Sequence, residues 1–179
     1  EPCFSYSPIP GKIRQGRLNG YFQSDKYFDD FSAEIRALYA RLKAPRRVGE
    51  AGVHVRMGDY LAKSHQFRSP DAGFLEKALE RLSKHIRVLH IFSDNPLQAL
   101  QLVRGLPAGR RFELVLNEED TLGALRSMSG MQELVMSCSS YSWWGAYLGE
   151  PEQVIVQKDW FAGVISDYRD VYRDQWSKL

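Results

Sequence analysis

The chain has 179 residues, 44% hydrophobic and 26% charged, with a mean hydropathy of −0.40, which excludes disorder, collagen and coiled coil. That length suits one domain, two at most, with enough buried surface to fold without staples. Its 24 Lys and Arg against 22 Asp and Glu leave a net charge of +2, too little for a nucleic-acid binder, so any phosphate chemistry has to be local.

Cys3 and Cys138 lie far apart and do not form a secreted disulfide framework, so reduced thiols are expected. No apolar run reaches the length of a membrane span, and the opening E-P-C-F-S-Y-S-P lacks the basic and apolar regions of a signal peptide. A soluble chain is expected. The absence of an initiator Met adds the expectation that it is a piece of a longer protein.

Residues 1–20 carry scattered Pro and Gly and read as an irregular lead-in. From Asp30, Phe31, Ile35, Leu38, Tyr39 and Leu42 recur at helical spacing and predict a helix ending before Pro45. Strands are predicted at A-G-V-H-V-R after Gly49 and at 87–92, 112–116, 133–137 and 153–156. Helices are predicted between them at 71–86, 96–104 and 120–131, and Y-R-D-V-Y-R-D-Q-W predicts a terminal amphipathic helix. The alternation predicts an α/β fold, a Rossmann-like doubly wound parallel sheet over 49–179, with 1–48 as lead-in. Ligands of such sheets bind beyond the carboxyl ends of the strands, at the switch point.

Three segments follow strands. In V-H-V-R-M-G-D-Y, His54 and Arg56 fall on one side of the strand, and Arg56 suits a bidentate contact with phosphate. The plainer reading is an Arg56–Asp59 ion pair beside a satisfied buried His54. In F-S-D-N-P, Ser93, Asp94 or Asn95 caps the next helix, although Asp94 also stands where a base or ribose would find an acceptor. In M-S-C-S-S-Y-S-W-W-G-A-Y-L, Ser137, Ser139, Ser140 and Ser142 gather at a helix N-terminus that can hold a phosphate, and the tryptophans that follow suit a nucleotide-sugar pocket. A capped core helix is the alternative. No D-x-D pair is visible, so a metal-independent site is the simpler reading, and no G-x-G-x-x-G supports a nicotinamide enzyme.

Five segments, G-Y-F-Q-S-D-K-Y-F at 20–28, H-V-R-M-G-D-Y at 54–60, F-S-D-N at 92–95, S-S-Y-S-W-W-G-A-Y-L at 139–148 and V-I-V-Q-K-D-W-F at 154–161, resemble in order and spacing the motifs of the alpha-1,2-fucosyltransferases of glycosyltransferase family 11. The resemblance implies the donor-binding half of a GT-B-type enzyme that moves fucose from GDP-fucose to the 2-hydroxyl of a galactoside acceptor, with inversion. It implies no cofactor beyond the donor substrate and no metal. By position, Arg56 matches the arginine on the diphosphate, His54 and Asp94 match nucleoside contacts, and Ser139 and Ser140 match the hydroxyl pair, with Tyr141 and Trp143 beside them. Gln23 and Tyr27 fall in the Y-F-Q-S segment as further substrate contacts, and Asp59 and then His65 are the candidate general bases.

The chain departs from the family pattern at Met57, which replaces a second Arg, at Ser137, Cys138 and Ser139, where the family often has A-N-S, and in lacking the family's G-G-L-G-N-Q-M-F-Q-Y-A opening. A non-catalytic or truncated GDP- or glycan-binding module is the rival expectation. No N-x-S/T sequon occurs, which favours a bacterial cytoplasmic setting over a Golgi lumen, with peripheral membrane association through a missing region left open.

Overall fold

The computed structural model describes residues 4–179 apart from 10, 12–14, 18, 59, 61–63, 164 and 166. Six parallel strands form one sheet: β1 (Arg47–Val55), β2 (Val88–Ser93), β3 (Glu113–Leu116), β4 (Met131–Met136), β5 (Gln153–Val156) and β6 (Ser177–Lys178). Their order is β3-β2-β1-β4-β5-β6, so the winding reverses between β1 and β4. This is the Rossmann-like doubly wound sheet expected from the alternation of elements.

The central strands are buried on both faces, and their side chains alternate between two cores. Ala51, Val53 and Val55 of β1, Val135 of β4 and Ile155 of β5 meet α2 (Ala72–Arg81) and α3 (Pro96–Gly105) through Leu75, Leu79 and Val103. Leu134 and Met136 of β4 and Val154 and Val156 of β5 face the other way, toward α4 (Thr121–Ser129) and α5 (Ser140–Gly149) and the rings of Trp143, Tyr147 and Trp176. α4 and α5 touch closely at Gly149, where any Cβ would enter the Ser129 backbone.

Two expectations need correction. The helix over 30–43 reduces to α1 (Ser32–Leu38) between 3-10 turns at Asp29–Phe31 and Ala40–Leu42. Its apolar stripe is covered only in part: Ile35 and Leu42 pack against the core, but Phe31 and Leu38 are 61% and 71% exposed, so little tertiary packing supports a longer helix. The terminal helix does not form either. Arg169–Val171 is a 3-10 turn, and the chain then extends into β6 on the edge of β5. Its helical spacing is accounted for by Val171 and Trp176, which are buried over α5 from an irregular path. The Val171 carbonyl accepts from Trp143 Nε1 at 2.7 Å.

The lead-in is folded onto the sheet domain. Phe28 stacks on Trp144 with ring centroids 5.6 Å apart, Phe4 packs on Phe161 at 4.4 Å, and Arg173 pairs with Asp25 at 2.7 Å. β1 begins at Arg47, taking in the last residues assigned to the lead-in. Among the described residues no helix is long and apolar enough to cross a membrane.

Candidate functional site

The register of β1 with β2 sets Val55 opposite Ser93, so the residues that follow, Arg56 and Asp94, emerge side by side at the carboxyl edge. Asp94 does not cap the next helix. Its Oδ1 accepts the Met57 N–H at 2.9 Å, and its Oδ2 lies 3.4 Å from Arg56 Nε. Gly58 completes this turn, because a Cβ there would collide with Asp94 Oδ2. Asp94 thus fixes both the backbone after β1 and the direction of the arginine. The ion pair expected with Asp59 lies outside the described residues.

From the other side Ser137, one residue past β4, ties the same strand end. Its Oγ accepts the Arg56 N–H at 3.0 Å and donates to the His54 carbonyl at 2.6 Å. His54 Nδ1 stands 3.0 Å from that oxygen. Since the single hydroxyl proton goes to the carbonyl, the network assigns the imidazole proton to Nδ1 and leaves Nε2 as an acceptor. His54 is buried, and burial, reinforced by the Arg56 charge, lowers its pKa to about 4, so the ring is neutral near pH 7.

At the start of α5, Ser139 is the N-cap and its Oγ accepts from the Tyr141 N–H at 3.3 Å. Ser142 turns inward and donates to the Ser137 carbonyl at 3.1 Å. Tyr141 reaches across to α4, where its hydroxyl donates to the Thr121 carbonyl at 2.6 Å, and burial pushes its pKa up to about 12.

Two cavities open on this edge, and Arg56 and Tyr141 line both. The smaller, about 250 Å³, lies over the ends of β1, β2 and β3, with His54, Asp94, Asn117, Glu119 and Thr121 in its wall. Hydrogen bonds from Ser127 and Asn117 hold the Glu119 carboxyl below its usual range, so the wall is anionic at one end. The larger, about 310 Å³, lies on the α5 side and is lined by Ser139, Ser140, Gln23 and aromatic rings that include Tyr21, Trp160 and Phe161. Among the described residues Arg56 is the cation that lines both cavities, next to a helix N-terminus, an arrangement suited to a diphosphate whose ends lie on either side.

His54, Arg56, Asp94, Ser139, Ser140, Tyr141 and Gln23 are thereby brought together. Trp143 is not among them: its ring is buried between Tyr147 and Trp176. Trp144 is also turned from the cavities, onto Phe28. Tyr27 stands behind the cavity wall against Phe22 and Tyr6, accepting the Ser7 N–H at 3.0 Å. His65 is exposed and lines neither cavity, and Asp59 lies outside the described residues.

Met57 points into the core beside Val55 and Phe74, a place for an apolar side chain rather than for a second cation. Of the expected thiols, Cys138 is free and buried, with its pKa pushed up by burial, while Cys3 lies outside the described residues. Asn117, Glu119 and Tyr60 escaped the sequence reading as site residues. Ser137 was read there as part of the serine cluster at the helix N-terminus, whereas its hydroxyl is engaged by the end of β1, with the Arg56 N–H and the His54 carbonyl. Among the described residues no three His, Cys, Asp or Glu side chains come together as a metal site.

A switch-point crevice with an arginine at its centre, on a parallel sheet of this order, is that of a Rossmann-like α/β protein. The chain belongs to glycosyl transferase family 11, whose family model matches residues 11–179. It is 28% identical over 136 residues to the O-antigen biosynthesis glycosyltransferase WbnK of Escherichia coli, an alignment covering 71% of this chain and 43% of that relative. The chain spans less than half the length of that curated relative.

Proposed function

We propose that the chain, with 49–179 as its donor-binding domain, carries the donor site of an inverting fucosyltransferase that moves fucose from GDP-fucose to the 2-hydroxyl of a galactoside. The observation that carries the reading is Arg56, held by Asp94 and Ser137 between two cavities. The nucleoside occupies the smaller cavity, where His54 Nε2 accepts from a ribose hydroxyl and the Asn117 and Glu119 side chains face the base. The diphosphate lies across Arg56 and the first turn of α5, which neutralise the charge that grows on the departing GDP. The sugar enters the aromatic cavity, and the methyl group of a 6-deoxyhexose suits those rings better than a hydroxymethyl would. Asp59, three residues after Arg56 in sequence, takes the acceptor proton in this reading.

The test is calorimetry with GDP in EDTA, followed by transfer to a β-galactoside. Binding without divalent metal is expected, because Arg56 and the helix terminus meet the phosphate charge. Transfer by this chain alone should be weak, and supplying the remaining length of a family member in trans should raise turnover while leaving donor affinity unchanged. Loss of all GDP binding on chelation would refute the metal-free site. Donor binding without transfer, even after that addition, would favour a GDP-binding module that has lost catalysis.

A further inference from the structure

Three buried side-chain polar atoms have no hydrogen-bond partner among the described residues: Gln23 Nε2, Tyr147 Oη and Gln157 Oε1. Tyr147 and Gln157 line neither cavity at the switch point, whereas Gln23 lines the larger one. A buried amide group without a partner carries a desolvation penalty comparable to a lost hydrogen bond, and such a group beside an open cavity is satisfied by what enters it.

The local backbone keeps Gln23 in that place. Phe22 is in the left-handed region at φ 48°, a conformation disfavoured for an aromatic residue, and its carbonyl accepts the Ser24 N–H at 3.0 Å in a tight turn centred on Gln23. Ser24 is fully buried and caps the following 3-10 turn through the Lys26 N–H, while the Phe22 ring packs edge-on against Tyr27 at 5.1 Å. On the other flank Tyr21 stacks on Phe4 at 5.3 Å. The turn is therefore braced on both sides, and Gln23 is the polar side chain it carries to the cavity.

We infer that Gln23 positions the transferred sugar, its carboxamide donating to a pyranose ring hydroxyl in the larger cavity; this rests on the donor reading above. A neutral amide matches an uncharged polyol, which offers an acceptor oxygen at each hydroxyl. The phosphate charge is met by Arg56, on a different wall. Phe4, Tyr21, Trp160 and Phe161 supply the apolar part of that cavity's wall, against which the faces of a pyranose ring can pack.

The experiment compares GDP with GDP-fucose by calorimetry on the chain and on Gln23→Leu and Gln23→Glu. Leu removes the amide donors and Glu keeps the shape while removing them, so the pair covers the chance that one substitution disturbs the turn. Wild type should bind GDP-fucose about tenfold more tightly than GDP, the size of one buried hydrogen bond, and both variants should lose that preference while holding GDP as wild type does. Unchanged GDP affinity also reports that the fold is intact. A preference retained in both variants overturns the role of Gln23 and leaves the donor reading standing. A parallel loss of GDP affinity in both overturns it as well, by placing Gln23 on the phosphates or in the framework. No binding of GDP by wild type removes the donor reading and this inference with it.

Discussion

The neutral imidazole of His54 has a measurable thermodynamic signature. In the unfolded chain the ring titrates near 6.5, whereas in the folded chain burial and then the Arg56 charge hold it to about 4, with Asp94 opposing weakly. Below 6.5 the unfolded state therefore binds a proton that the folded state refuses, and stability falls as pH drops through this window until the folded ring is charged as well. The separation corresponds to about 3 kcal/mol between pH 7 and pH 4. His54→Asn places an amide nitrogen near the position of Nδ1, preserves the contact with Ser137 and removes the titration. Urea denaturation at half-unit steps from pH 7.5 to 4 should show the wild type losing about 3 kcal/mol more than the variant, with the divergence starting near pH 6.5. Parallel profiles would refute the assignment of a buried, neutral His54 and the tautomer derived from it.

Arg56→Lys keeps the charge and loses the bidentate fork, so GDP-fucose affinity should fall by roughly 1 to 3 kcal/mol in calorimetry. The thermal midpoint of the unliganded protein should hardly move, because the side chain is 34% exposed and its 3.4 Å pair with Asp94 is partly solvated; an equal loss of stability would make the arginine structural. Met57→Arg would insert a charge into the core next to Phe74 and should destabilise the protein by at least about 2 kcal/mol in urea denaturation, whereas wild-type stability would show that this position can turn to solvent.

Legibility in the sequence followed the kind of force at work. The strands of the central sheet are apolar on both faces and bounded by turn residues, so β1, β2, β4 and β5 were readable to within a few residues. β6 was not, because Ser177 and Lys178 have no strand-like pattern and form a strand only by pairing with β5. The terminal segment had helical spacing at Tyr168, Val171 and Tyr172, yet its backbone follows the hollows around Trp143 and Trp160. Within the site, residues immediately after strands were readable because topology alone places them at the crevice. Asp94 was readable as a position but its partners were not, since they depend on the β1–β2 register. The two tryptophans illustrate the opposite error. Aromatic residues next to serines suggested a pocket, but on a buried helix only its N-terminal turn faces the two cavities, and Trp143 and Trp144 belong to the packing behind it.

The larger cavity has walls from opposite ends of the sequence, Phe4, Tyr21 and Gln23 on one side and Trp160 and Phe161 on the other. Between those ends stand Asp25 with Arg173, Lys26 with Asp170, and the Phe4 N–H on the Asp167 carbonyl. These contacts act as an ionic clasp, and closing it joins segments separated by most of the chain, at a substantial entropy cost. A molecule filling the cavity touches both sides of the clasp, so its binding and the clasp's closure are one linked equilibrium. Salt that screens the Lys26–Asp170 pair therefore acts on the occupancy of the cavity through the clasp, apart from its direct effect on Arg56 in the cavity wall.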